Sequence, residues 1–472
     1  MDEMSIRNSD IICRLVDSHA EEYVSLADTI FDTPELLFQE VHSCAFHTSQ
    51  LEAAGARVEK GVAGLPTAII GEWGEGGPVI AILGEYDALP DLGQEPGVTK
   101  FQPKGKAGHA CGHNLLGAAS MQAAHAVADW LRETGTEGRV RYYGCPAEEG
   151  GAGKTFMVRH GLFDDVDAAI SWHPYDYTGV WEATDLANTR VQFSFTGRAS
   201  HAAINPELGR SGLDAVELMS VGVNYLREHI PEGARLHYAY IDAGGRAANV
   251  VQSCASVEHV IRTRRNSDLA SLVERVRKIA QGAALMTETS LTERIVSAVS
   301  CLLGNPALDK LMDRNIVRLG PPDFDAADHA FAAEIQATLT DEHIISTFRR
   351  AGRAPDKSLA LANFVVPLGS APLAPTGSTD VGDVSWVVPT VQAYVATCAV
   401  GTPLHSWQMT AQGKIPYAHK GMIHAAKIMA ATARDLFEQP ELLAEAKEIH
   451  VKSLQLEPYI CPIPDSINPP LP

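Results

Sequence analysis

Two short apolar runs, PVIAILG at 78–84 and VRYYGC at 140–145, enclose an alanine-rich segment at 114–132 that is apolar along one face. Runs of that length read as buried strands, and the segment between them as a helix packed on their sheet. A third run, VDAAISW at 166–172, repeats the pattern. Strands alternating with helices predict an α/β layered fold, which this constraint imposes on everything around it. Upstream, 15–30 has helical periodicity and 34–54 reads as a second helix opened by Pro34.

The pattern changes near residue 187. Alternating residues at 190–195 predict a strand, 212–228 an amphipathic helix, 235–241 and 256–262 two more strands, and 269–283 a helix. This predicts a compact α+β unit at 187–300 inserted into a larger domain formed by 1–186 and 301–472. After it, prolines at 321, 322, 355, 367, 372 and 375 mark loops, 390–399 is strand-like, 419–436 is helical, and a proline-rich tail begins at Pro458.

With 472 residues, 45% hydrophobic and 20% charged, the chain has material for two or three ordinary globular domains. Its net charge of −20 repels phosphate backbones and anionic bilayers, so nucleic-acid and membrane partners are not expected. An anionic substrate would need local positive charge at the site. Residues 1–10 are polar and acidic without a leader pattern, and no run of about 18 apolar residues occurs. Eight scattered cysteines read as reduced thiols, which points to a cytoplasmic protein.

The chemistry gathers at predicted strand ends, where α/β folds place their sites. Asp87 in GEYDALP either orients a ligand or caps a turn. Cys111 and His113 in GHACGHN bracket a glycine, so thiolate and imidazole can converge on zinc or a similar ion; the plainer reading is a buried thiol beside a helix cap. Glu148 and Glu149 in PAEEG repel each other unless a cation sits between them. One would then bind metal while the other accepts a proton from water; otherwise the pair is a solvated acidic turn. His173 in SWHP and His405 in GTPLHS bring the set to five donors, enough for two ions.

The run at 150–155, GGAGKT, imitates a phosphate loop, but Glu148 stands where the first glycine is required and would face the phosphates. A nucleotide is therefore excluded. His201 in GRASHAA and the pair Arg246 and Asn249 in GGRAANVV lie in small-residue turns that suit a substrate carboxylate or an oxyanion, or are turns only.

Taken in order, GEYDALP, GHACGHN, PAEEG, SWHP, GRASHAA, GGRAANVV, GSTDVGDVSW and GTPLHS resemble the M20 metallopeptidases and amidohydrolases. The likeness is to the branch holding p-aminobenzoyl-glutamate and indole-3-acetyl-amino-acid hydrolases. The resemblance implies a catalytic domain with a central mixed sheet flanked by helices, and an inserted lid that also forms a homodimer. It implies two divalent ions per subunit, zinc or manganese, held by Cys111, His113, Glu149, His173 and His405. Glu148 would be the general base and Asp87 a supporting residue. His201 would reach the neighbouring subunit's site, with Asn249 and Arg246 near the substrate, an N-acyl amino acid with an aromatic acyl group on glutamate or aspartate. Asn114 departs from the aspartate common at that position, and GSTDVGDVSW from the S-E-D-F form of the auxin-conjugate hydrolases. A zinc-dependent oxidoreductase lacks its G-x-G-x-x-G turn here, since 71–77 does not have that form. A non-catalytic metal-binding scaffold would have no use for the second carboxylate.

Overall fold

The computed structural model describes residues 10–370 and 377–471. The leader reading at 1–9 and the prolines at 372 and 375 lie outside them. The larger sheet is mixed and has eight strands: β1 (Arg57–Lys60), β2 (Ile69–Glu75), β3 (Val79–Glu85), β6 (Gly138–Cys145), β7 (Ala168–Tyr175), β8 (Thr178–Val180), β13 (Val365–Val366) and β14 (Thr390–Ala396). They are arranged in the order β1-β2-β6-β3-β7-β14-β8-β13. The four central strands β6, β3, β7 and β14 run parallel, so their carboxyl ends share one edge. A short antiparallel pair, β4 (Leu89–Pro90) and β5 (Ala107–Gly108), leads from β3 towards the Cys111 turn.

Burial explains the apolar runs. Every residue of β3 is buried, as expected of a strand covered on both faces. The helix His113–Thr134 fills one face, with every residue from His113 to Leu131 buried beneath the sheet and the helices Ile11–Ser18, Ala20–Asp32 and Pro416–Glu438. Small side chains make the approach possible. A Cβ on Gly117 would stand 2.4 Å from the Glu85 carbonyl oxygen and 2.8 Å from His47 Cε1.

A second sheet is antiparallel throughout and is built from β9 (Ala187–Thr196), β10 (Arg235–Asp242), β11 (Cys254–Thr263) and β12 (Ser290–Val299), in the order β10-β11-β9-β12. The helices Gly212–Leu226 and Asn266–Thr287 pack on it. Its cross-strand register places Val260 opposite Arg190 and Arg262 opposite Asn188. With a period of two, Glu258, Val260 and Arg262 share one face.

Some expectations need correction. The 15–30 helix is two helices broken at His19, and 34–54 is helical only over Val41–Ala53. The 34–40 stretch is irregular because its backbone is held by carboxylates: Glu35 accepts from the N–H of His42 and Ser43, and Glu40 from that of Phe38. Strand β12 and the helices Pro306–Leu319, Ala326–Gln336, Asp341–Arg350 and Pro440–Leu456 were not anticipated. The proline-rich tail is irregular but anchored, with Ile463 buried and the Tyr459 hydroxyl donating to Asp383 Oδ1 at 2.9 Å. No helix among the described residues is long and apolar enough to cross a membrane.

The close contact at Gly117 gives a signed test. An unobstructed helical Gly→Ala change stabilises by about 1 kcal/mol. At Gly117 the clash with β3 should reverse that, and Gly117→Ala should lose about 1–3 kcal/mol in urea unfolding, the range for overpacking. A more stable variant would contradict the packing described.

Candidate metal centre at the strand ends

The shared edge of β3, β6, β7 and β14 collects the donors. Strand β3 ends in Glu85 with Asp87 two residues on, β6 opens into the turn carrying Glu148 and Glu149, β7 contains His173, and His405 lies in the loop after β14. The remaining two groups come from the start of the buried helix. Gly112 adopts φ +80, and a Cβ there would meet Pro174 and Met409 at 3.0–3.1 Å, so this turn needs glycine. It directs Cys111 and His113 to one point. Cys111 Sγ is 3.4 Å from His173 Nε2, and ligand atoms of Cys111, His113 and His173 lie within 4.8 Å of one another. Cys111, Glu149 and His405 form a second such trio, with His405 Nε2 3.4 Å from Glu149 Oε2.

Asp87 orients both halves. Its Oδ1 accepts from His113 Nδ1 at 2.9 Å, and its Oδ2 accepts from the Glu149 backbone N–H at 2.9 Å. With Nδ1 so engaged, His113 presents Nε2 to the centre. His173 is fixed in the same manner, its Nδ1 donating to the Pro174 carbonyl at 2.8 Å. Two site loops also carry non-glycine residues in the left-handed region, Ala147 at φ 59 and His405 at φ 58. Such positions persist only where surrounding contacts impose them. Buried Glu40 holds the first by accepting from the Ala147 N–H at 2.9 Å, and the His405 N–H donates to the Ala110 carbonyl at 2.8 Å.

The electrostatics favour a cation. Burial and the charges of Glu85, Glu149 and Asp380 push Glu148 well above the usual carboxylate range. Burial raises Glu149 to about 7 against the opposing charge of His113. Burial disfavours charge on His113, but Cys111 and Asp87 outweigh it and hold the ring well above its ordinary value. Burial, with His113 nearby, lowers His173 to about 4, keeping it a neutral donor. Within this cluster three buried polar atoms lack a hydrogen-bond partner among the described residues: His113 Nε2, Glu85 Oε2 and Glu149 Oε1. Unpaired buried nitrogen and oxygen atoms beside a thiol fit a divalent transition ion.

A cavity of about 380 Å³ opens beside this cluster, lined by Glu148, Glu149 and His405 on one side and by Asn188, Arg190 and Arg262 of the second sheet on another. The structure does not bring His201, Arg246 or Asn249 to it within one chain. All three are exposed, although their loops adjoin, the Ala202 N–H donating to the Asn249 carbonyl at 3.0 Å. Asn114 faces away, donating to the carbonyls of Ala27 and Gly413. Sequence reasoning missed Glu40, Glu85, Lys154, Arg190 and Arg262. For the arginines the signal was the alternation of β9 and β11, which showed a shared face but not what it faces.

A sulfur, nitrogen and carboxylate cluster at the edge of a mixed sheet, with a spare carboxylate beside it, defines a metal-dependent amidohydrolase. The model of peptidase family M20/M25/M40 matches residues 81–354. Over 467 residues the chain is 46% identical to one of the subunits of the p-aminobenzoyl-glutamate hydrolase of Escherichia coli K12, covering 96% of this chain and 97% of that protein. It is 27% identical to the Xaa-Arg dipeptidase of Mus musculus over 94% and 92% of the two chains. In structure it resembles a putative aminohydrolase from methicillin-resistant Staphylococcus aureus, with a TM-score of 0.66 at 16% identity, covering 91% of this chain and 99% of that one. The chain belongs to peptidase family M20/M25/M40.

Asp87→Asn would leave His113 without its acceptor for Nδ1–H or force the ring to turn. Loss of such an outer partner typically costs about 10–100-fold in metal affinity or activity. A chelator competition on Asp87→Asn should show a drop of that size; wild-type affinity would refute the orienting role.

Proposed function

We propose that the chain hydrolyses the amide bond of an N-acyl amino acid whose amine half is glutamate or aspartate, with p-aminobenzoyl-glutamate the first candidate. The observation that carries this is the cavity joining Glu148 and Glu149 to Arg190 and Arg262. In a chain of net charge −20, two guanidinium groups share one wall of that cavity. Arg190 pairs with Glu258 at 2.8 Å, while Arg262 donates to the Ser378 hydroxyl at 3.0 Å. Burial and repulsion from Arg190 both disfavour the charge on Arg262, and a bound carboxylate would relieve both. These side chains, rather than exposed Arg246, supply the local positive charge an anionic substrate needs. The name of the Escherichia coli relative supports the same substrate.

In this reading Cys111, His113, Glu149, His173 and His405 hold two divalent ions, zinc or manganese. When bound, these ions polarise the scissile carbonyl and acidify water. Glu148, crowded by carboxylates into high proton affinity, accepts the proton of the attacking water and returns it to the departing amine. Asp87 and Glu40 hold the ring and the loop on which those groups stand.

The unit 187–300 acts as lid and dimer contact. Strand β10 is an unpaired edge whose Tyr238, Tyr240 and Ile241 are exposed, and Tyr225 on the neighbouring helix is 77% exposed. A second copy of this chain would cover that edge. The His201 ring is anchored by Nδ1, which accepts from the N–H groups of Ala203 and Ile204, leaving Nε2 to reach across as an oxyanion donor. Tyr225→Arg with Tyr240→Arg should sediment as a monomer and lose activity; an active monomer would refute the assembly.

The central experiment is hydrolysis of a panel of N-acyl amino acids and dipeptides ending in arginine, with bound metal counted. Wild type should favour acyl-glutamate. Glu148→Ala should keep its metal and lose at least about 100-fold in kcat, the scale of general acid–base catalysis. Arg262→Ala should raise KM for acyl-glutamate about 10–100-fold, the loss of one charged hydrogen bond. Preference for C-terminal arginine would overturn the substrate assignment.

A further inference from the structure

Three stretches singled out in the sequence contribute one residue each to a structure that the five donors do not explain. Glu85 comes from GEYDALP, Lys154 from the phosphate-loop imitation at 150–155, and Asp380 from GSTDVGDVSW. Lys154 has no exposed surface. Its Nζ donates to Glu85 Oε1 at 2.5 Å and to Asp380 Oδ1 at 2.6 Å, and its backbone N–H donates to Asp380 Oδ2 at 2.9 Å. The lysine that would meet a nucleotide in a phosphate loop is here fastened between two buried carboxylates.

One ammonium cannot neutralise two carboxylates, and the surplus is localised. Asp380 has both oxygens engaged and Glu85 only one. Glu85 Oε2 is buried, lacks a hydrogen-bond partner and lies 3.3 Å from His113 Nε2. That nitrogen is the one left for a metal once Asp87 takes Nδ1. Ligand atoms of Glu85, His113 and Glu148 lie within 4.8 Å of one another.

We propose that Glu85 is a further metal ligand, and that Lys154 and Asp380 are positioning residues which aim it. The inference rests on the metal-centre reading above. With His113 Nε2 given to a metal, Glu85 Oε2 keeps no hydrogen-bond donor among the described residues. Oε2 would then be a buried anionic oxygen facing a dication with no donor of its own, an arrangement that is costly unless the two bind. Because Lys154 occupies Oε1, Glu85 offers a single oxygen. Its anchor comes from a helix and a loop remote in sequence, so the carboxylate is held rather than free to swing to solvent. This also accounts for a buried lysine where the loop otherwise has glycine, alanine and threonine.

The test compares wild type, His405→Ala, Glu85→Gln and Glu85→Asp, each loaded with zinc and separately with cobalt(II). Stoichiometry is read by elemental analysis, affinity by chelator competition, coordination by the cobalt d–d spectrum, and fold by circular dichroism. Glu85→Gln should bind one of two ions about 10–100-fold more weakly, with an altered cobalt spectrum and an unchanged fold. Glu85→Asp keeps the charge beside Lys154 but withdraws the oxygen by one methylene, and should show the same weakening. It decides the matter should the glutamine variant fail to fold. Wild-type affinity and spectrum in either folded variant overturn the assignment of Glu85. If His405→Ala weakens binding in that same series, the metal-centre reading stands and Glu85 alone is wrong. If wild type itself binds no ion, both fall.

Discussion

Glu85, Asp87, Glu148, Glu149 and Asp380 end in one corner of the sheet, and their mutual repulsion is the constraint on which the site depends. Left alone, such a group would open the sheet edge or take up protons, as the raised proton affinities of Glu148 and Glu149 show. The fold answers with charges and hydrogen bonds placed one by one. Lys154 stands between Glu85 and Asp380, His113 between Glu85 and Asp87, and backbone N–H groups meet Asp87 and Asp380. What remains unpaired is concentrated on the atoms that face one another across the Cys111 turn. The centre is what is left after the rest of the corner has been neutralised.

That arrangement requires rigid surroundings, because a carboxylate free to rotate would find water. The sheet edge and the buried helix provide them. Gly117 lets the helix approach β3 closely enough for His113 to lie under Asp87, and Gly112 turns the chain so that Cys111 shares the same point. Glu40 reaches from an irregular segment to pin the Ala147 turn, and is itself raised to about 8 by burial and by Asp87. The repulsion thus extends to residues that touch none of the donors.

How much of this the sequence disclosed follows from how local each signal is. Apolar runs of strand length and an alanine-rich helix between them need no distant partner to be recognised, and β3, β6, β7 and the helix His113–Thr134 stand close to where periodicity puts them. The donor motifs are equally local, since Cys111 and His113, or Glu148 and Glu149, are neighbours in sequence. The 34–40 stretch misled because Pro34 at a helix start is a common local signal, overridden here by Glu35 and Glu40 holding the backbone in another form. Pro306–Leu319 was legible and passed over: Asn305 caps it, its side chain accepting from the Leu308 N–H, and Pro306 opens it. Lys154 was not legible at all. Glu148 rightly excluded a phosphate, but partners 69 and 226 residues away are invisible to any window of sequence.

The two sheets divide the chemistry by kind. The parallel edge supplies donors and carboxylates, and the antiparallel sheet presents Arg190 and Arg262 across the cavity. For the acidic substrate proposed above, a centre rich in carboxylates would attract dications and repel the substrate, so both tasks cannot be met by one surface. Placing the cations on strands whose register fixes them to one face separates the tasks by a cavity's width. Arg190 remains balanced by Glu258, whereas among the described residues Arg262 meets a hydroxyl, so its positive charge faces the cavity beside the carboxylates of the centre. The net charge of the whole chain is then no obstacle, because the potential at short range is set by these few half-buried groups beside the cavity rather than by the solvated surface.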